Sequence, residues 1–142
     1  MAGAFDGALK RIINIAEDNA VAFQKEFTVK MTRVIARDTP VDTGRATANW
    51  KGAVNKEPIP NNNDFDRSPS ANKTIETLKK DISGLKYKDT VIIKNSVASE
   101  GEAGYIIKLE KGHSKQAPTG MFRKNVARYK QIGQRTKREL GL

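Results

Sequence analysis

The sequence predicts an α+β fold in which a long N-terminal helix and a C-terminal helix pack on a small antiparallel sheet. Three observations carry that expectation. Over residues 5–38, apolar side chains recur at Phe5, Leu9, Ile12, Ala16, Ala20, Phe23, Phe27, Met31 and Val34; steps of three and four keep them on one helical face, which Ile13 and Ile35 widen. Residues 45–54 and 90–97 have the composition of two strands. The chain then closes on a second helical pattern, Met121, Phe122, Val126, Tyr129, Ile132 and Leu140.

The first helix contains no proline, and Gly7 is its only weak former. At about 1.5 Å per residue it is roughly 50 Å long, more than a compact domain of this size needs. Part of it is therefore expected to lie against something outside its own fold. It stops at Asp38-Thr39-Pro40, because the residue before a proline is pushed out of the α region. Pro40-Val41-Asp42-Thr43-Gly44-Arg45 is turn chemistry, with Asp42 expected to bond nearby backbone amides and Gly44 able to take a left-handed conformation.

From 45 to 54, Ala46, Ala48, Trp50 and Val54 alternate with Thr47, Asn49 and Lys51, the pattern of a half-buried strand. Trp50, the only tryptophan, is expected to anchor the sheet against the long helix. Residues 57–73, rich in proline, asparagine and serine, are expected to form a flexible loop. Ile75, Leu78, Ile82 and Leu85 follow helical spacing, with Gly84 placed to end the helix. Residues 90–97 predict a buried strand, 98–104 a polar connector, 105–110 one or two helical turns and 112–118 a loop. Thr119 is a candidate cap for the last helix, and Gly141 a candidate terminator.

A chain of 142 residues reads as one domain, 1–142, able to bury about two thirds of the surface its unfolded form exposes. With no cysteine it has no disulfide framework and no thiolate nucleophile or metal ligand. No charged start followed by an apolar run and no run of about eighteen apolar residues occurs, so a soluble, unsecreted protein is expected. The formal charge of +10 is uneven: residues 1–38 carry +1, residues 39–112 carry +2 and residues 113–142 carry +7. In the last helix Arg123, Lys124, Arg128 and Lys130, with Arg135, Lys137 and Arg138, fall opposite the apolar face. That basic face suits sequence-independent phosphate contacts or an acidic protein surface, and equally a solvated helix side.

Enzymatic patterns are weak. Asp42-Thr43-Gly44 is the tripeptide of aspartic proteases, but such a carboxylate sits at the end of an apolar strand and shares a proton with a buried partner. Here Thr39-Pro40-Val41 precedes it and Arg45 follows. His113 is the sole histidine, so no histidine pair can hold a metal. A base at His113 beside a nucleophile at Ser114 lacks the convergence from separate segments that nucleophilic sites use. Gly101, Gly104 and Gly112 lack the spacing and lysine of a phosphate loop. No cofactor is expected.

Two segments together resemble a known family. Thr39-Pro40-Val41-Asp42-Thr43-Gly44-Arg45, after a long N-terminal helix, resembles the P-V-D-T-G-R signature of neck and tail-completion proteins of long-tailed bacteriophages. Tyr105 through Leu109-Glu110, Gly112-His113-Ser114, Gln116-Ala117-Pro118 and Gly120-Met121 resemble that family's Y-x-x-x-L-E-x-G-x-S block before its closing helix. The order is the same, and the resemblance covers nearly the whole chain. It implies a virion structural protein without enzymatic activity, made in the host cytoplasm and assembled as a ring at the head-to-tail junction through which DNA passes. Its partners would be copies of itself, connector or head-closure proteins and tail-tube or terminator proteins, with transient phosphate contact to genomic DNA and no membrane.

On the resemblance, the assembly candidates are Asp42, Thr43, Gly44 and Arg45 in the first turn, and Glu110, Gly112, His113, Ser114, Gln116 and Pro118 in the second loop. The alternative for the same residues is fold maintenance, with Gly44 and Gly112 supplying backbone angles and Glu110 pairing with a lysine. Two other functions stay open: a tail terminator ring capping the tail tube, and a non-specific nucleic-acid-binding module using the basic C-terminal helix.

Overall fold

A computed structural model describes residues 2–97 and 104–142; most of the expected 98–104 connector lies outside the described residues. The architecture is mixed α+β and mostly helical. Helix α1 (Ala2–Arg37, 36 residues) is followed by α2 (Arg45–Ala48), β1 (Lys51–Val54), a 3-10 turn (Pro69–Ala71), α3 (Asn72–Asp81), β2 (Val91–Lys94), α4 (Tyr105–Glu110), α5 (Arg123–Val126) and α6 (Tyr129–Glu139). The strands pair antiparallel, with Lys51 opposite Lys94 and Val54 opposite Val91. The expected class holds, and the layering is refined: α3 lies on β1, while α6 packs along α1.

The core has two parts. In the first, Val29 of α1 meets Ile75, Leu78 and Ile82, the apolar face expected of α3; each such side chain, once buried, contributes about 1.5–3 kcal/mol. The second surrounds the C-terminal end of α1, where Ile35 and Ala36 meet Ala46, Trp50, Leu109 and Met121. Trp50 is buried there and stacks on Phe122, with ring centroids 5.7 Å apart. Its indole N–H donates to the Thr39 hydroxyl at 2.8 Å, which in turn donates to the Ile35 carbonyl at 2.8 Å. The single tryptophan thus fastens the end of the long helix to the start of the sheet.

Three sequence expectations are corrected. Residues 45–48 form α2, not the first half of a strand: Ala46, Thr47 and Ala48 are all buried, so alternation is lost. Gly44, at φ 88, reverses the chain, and its carbonyl accepts the Ala48 N–H at 3.0 Å to close the turn. Small residues of good helix propensity fit this tight space. The second strand covers only 91–94, and its residues are half-buried or exposed; among the described residues it pairs only with β1, as an edge strand. The last helix is broken into α5 and α6, and no side-chain cap from Thr119 starts it. Asn125, buried within α5 just ahead of the break, has a side-chain amide that donates to the Met121 carbonyl (2.7 Å) and to the Asp38 carboxylate (3.0 Å). A short polar side chain that bonds the preceding turn competes with regular helix. Gly141, at φ 70, does close α6, with the Leu142 N–H donating to the Lys137 carbonyl at 2.9 Å.

The segment expected as a flexible loop, 57–73, carries many hydrogen bonds. Asn49, fully buried, donates to the Asn61 carbonyl (2.9 Å) and accepts the Asn61 N–H (2.7 Å). Lys51 pairs with Asp64 at 2.5 Å. Asp66 is 2% exposed and accepts from the backbone N–H groups of Ser68 and Thr74 at 2.8 Å each, and from both of their hydroxyls. Ser70 and Ala71 take left-handed backbone at φ 52 and 56, at a cost of roughly 1–2 kcal/mol each, which these bonds and the burial of Ala71 offset.

Candidate functional site

The two segments singled out in the sequence, whose nearest residues, Arg45 and Tyr105, are 60 positions apart, converge at the C-terminal end of α1. Gln116 makes the join: its side-chain oxygen accepts the Val41 N–H at 2.9 Å, and its amide donates to the Val41 carbonyl at 3.1 Å. This two-point bond imitates a strand pair and fixes the second loop on the first turn. Tyr105 of α4 reaches the same place, lining a recess of about 120 Å³ with Pro40, Asp42, Thr43, Gly44 and Arg45.

Within the first turn the roles differ from those expected. The Thr43 hydroxyl, not the Asp42 carboxylate, accepts the local N–H, that of Arg45, at 3.2 Å. Asp42 contributes its backbone carbonyl, which accepts from the Arg67 guanidinium. Arg45 donates to the Asn62 carbonyl at 2.9 Å, and its guanidinium lies 5.1 Å from the centre of the Phe65 ring. Gly44 is required twice over: its φ is 88, and a Cβ there would meet the Asp66 carbonyl oxygen at 2.5 Å. The first turn is therefore locked against the 61–67 segment.

The second loop is likewise internally bonded. Glu110 does not pair with a lysine; its carboxylate accepts the Phe122 N–H at 2.9 Å, just ahead of α5. Gly112 has φ 84, and a Cβ there would press on the Pro118 carbonyl. The Ser114 hydroxyl accepts the Gln116 N–H at 3.2 Å. His113 bonds through its backbone N–H to the Lys108 carbonyl at 3.2 Å, and its side chain is exposed. Asp42, Thr43, His113 and Pro118 face solvent, whereas Gly44, Glu110, Gly112 and Gln116 hold the fold together at this end.

Arg123, Lys124, Arg128 and Lys130 are all exposed, as expected for the basic face. Lys124 lies 3.7 Å from Asp38. Burial opposes ionisation of Asp38, but the bond from Asn125 and the nearby Arg37 and Lys124 hold its carboxyl below the usual value. Between this face and the sheet lies a largely apolar groove of about 370 Å³, lined by Trp50, Ile93, Ile106, Ile107 and Phe122, with Lys94, Asn95, Glu110, Lys111 and Arg123 also in its lining.

Sequence reasoning missed three residues that organise the site: Asp66, Asn49 and Asn125. Burial opposes ionisation of Asp66, but the Ser68 and Thr74 hydroxyls and N–H groups hold its carboxyl below the usual range. A signal existed in Asp66-Arg67-Ser68, an acceptor two residues before a hydroxyl at a helix approach; nothing marked the two asparagines as buried. Among the described residues no group of three His, Cys, Asp or Glu side chains is placed to hold a metal, and no helix is long and apolar enough to cross a membrane. Comparison with protein-family models, with curated proteins and with solved structures finds no match to this chain.

Proposed function

We propose that this chain is a virion structural protein of a tailed phage, a neck or tail-completion component that forms a ring at the head-to-tail junction and acts by assembly. The observation that carries the proposal is the convergence just described: the two segments that resemble the family meet through the Gln116–Val41 bond. A signature split across a chain is more specific when its halves form one structural unit. The large apolar side chains left bare on the first half of α1 add support, since a ring protomer has surface that is satisfied only in the assembly.

In this role each protomer contributes modest contacts, and ring closure multiplies them through effective concentration. Connector and tail-tube proteins would be the neighbours, and the exposed basic face would meet DNA phosphates or an acidic neighbouring surface. Immuno-electron microscopy of phage particles, with antibody raised against the purified chain, tests the proposal. Label at the head-to-tail junction is expected; particles that form without label sink it. Copurification with isolated tails rather than filled heads would assign the chain to the tail terminator instead.

The exposed cations of α5 and α6 favour one second function, a non-specific nucleic-acid-binding module. It predicts a DNA complex that weakens by about a thousandfold between 50 and 200 mM salt if six or more phosphates are engaged, and that is lost when Arg123, Lys124, Arg128 and Lys130 are neutralised.

A further inference from the structure

Residues 2–20 of α1 form an amphipathic arm. Stepping about 100° per residue, Ala4, Phe5, Ala8, Leu9, Ile12, Ile13, Ile15 and Ala16 occupy one half of the circumference, joined near the base of the arm by Asn19, and Asp6, Lys10, Arg11, Asn14, Glu17 and Asp18 the other. Phe5, Ile12 and Ile15 are 71%, 63% and 61% exposed. Among the described residues, no hydrogen bond, ion pair or ring contact joins the arm to the rest of the chain. Its large side chains present on the order of 500 Å² of apolar surface, near the upper end of the largest patch on an ordinary monomer.

Charge identifies the kind of partner. A helix that lies on a membrane carries lysine and arginine on its polar face, whereas the arm has three acids against two bases. Its complement is an apolar surface with a basic rim. The groove of Trp50, Ile93, Ile106, Ile107 and Phe122 is such a surface: Lys94, Lys111 and Arg123 also line it against the single acid Glu110, a net positive lining, and Ile107 within it is 61% exposed. The arm cannot reach the groove of its own chain: Trp50 packs beside Ile35, and about 35 Å of uninterrupted helix separates Ile12 from Ile35. The contact must be made in trans.

We propose that the arm of one copy docks in this groove of a second copy, with Phe5, Leu9 and Ile12 as anchors at i, i+4 and i+7 and Asp6 and Glu17 turned toward Lys111 and Arg123. The arm brings on the order of 500 Å² of apolar surface to the contact, a patch of the size that marks an interaction site on a monomer. Because two different surfaces meet, it is head-to-tail and closes into a ring or runs on as a filament. It names the subunit contact of the ring proposed above and rests on that proposal only for closure.

Sedimentation velocity of the full chain tests it. Wild type is expected to sediment as an oligomer, while Ile12→Asp in the arm and Ile107→Asp in the groove each sediment as a monomer with unchanged far-ultraviolet circular dichroism, both positions being exposed. The dissociation constant should rise about thirtyfold or more in each case, the effect of losing a central anchor. An equimolar mixture of the two variants should form a dimer and nothing larger, because one intact arm and one intact groove remain. A monomeric wild type, an Ile107→Asp variant that assembles like wild type, or a mixture that stays monomeric overturns the proposal. Absence of the chain from phage particles would defeat the neck assignment and leave this sedimentation result standing; the converse also holds.

Discussion

The two halves of α1 are made of the same kind of sequence and meet opposite surroundings. From Val21 onward the helix is covered chiefly by α6, α3 and the 3-10 turn, and Val29, Ile35 and Ala36 are buried. Before Ala20 the described residues leave its apolar face bare: Glu17 and Asp18 share a recess with Leu85, Lys86 and Tyr87, while Phe5, Leu9, Ile12, Ile13 and Ile15 stand exposed. Apolar periodicity is therefore a statement about a face that needs a partner, and it is silent on whether that partner belongs to the same molecule. In the body half the partner is internal and the apolar side chains stabilise the fold. In the arm they stabilise only what the arm binds.

The sharpest way to break this comparison is to truncate one isoleucine in each half. Ile35→Ala removes a side chain that is 2% exposed in the core with Trp50, Leu109 and Met121, and is expected to cost about 4 kcal/mol. Ile12→Ala, the same chemical change in the arm, is expected to stay within about 0.5 kcal/mol. Urea unfolding of dilute protein, followed by circular dichroism, measures both; equal losses would mean that the arm packs on its own body.

A second, smaller loss is expected from Asp66→Ala, which strands the N–H and hydroxyl donors of Ser68 and Thr74 and unpins the segment beside Gly44. About 3 kcal/mol is expected at pH 7. The sign of its pH dependence follows from a carboxyl held below the ordinary value of 3.8. As acid is added the unfolded state takes up its proton first, so the stability that Asp66 contributes is present above about pH 4 and is lost as pH falls further. The gap between wild type and variant should close over that window, measured by unfolding at stepped pH. A gap that is constant down to pH 2 would mean that Asp66 is not ionised in this network.

The smallest effect sharpens the contrast from the other side. Gln116→Ala removes both bonds to Val41 at an exposed position, and about 1 kcal/mol is expected. Hydrogen exchange should quicken at residues 39–45 and 112–118 and stay unchanged in the arm. Loss of protection throughout the molecule would show that the join supports the whole fold and not just this end.

Local patterns were legible wherever the chain's own neighbours decide the outcome. The length of α1 and the buried face of α3 at Ile75, Leu78 and Ile82 followed from spacing; the one or two turns expected at 105–110 formed as α4, in a segment too short for its period to decide. At residues 45–48 alternation misled, because alanines and threonine buried on every side read like a strand with one covered face. The candidate site was half legible: Gly44 and Gly112 were expected for their backbone angles and have them, while Glu110 was expected to meet a lysine and instead holds the Phe122 N–H. Asp66, Asn49 and Asn125 went unseen, since a polar residue that is buried and fully bonded looks in sequence like one in solvent.

By itself, then, the sequence determined the class of fold, the long amphipathic helix, the two segments on which a phage-neck resemblance rests and the basic end of the chain, because propensity, periodicity and charge are properties of residues and their near neighbours. The tertiary structure alone decided that those two segments are clamped together by Gln116, that the C-terminal helix is broken with Asn125 buried in its first piece, and which half of α1 the described residues cover and which they leave bare. Those outcomes depend on groups brought together across as many as 91 positions, as with Asn125 and Val34, and no local pattern records which distant group will satisfy a buried bond or cover an apolar face.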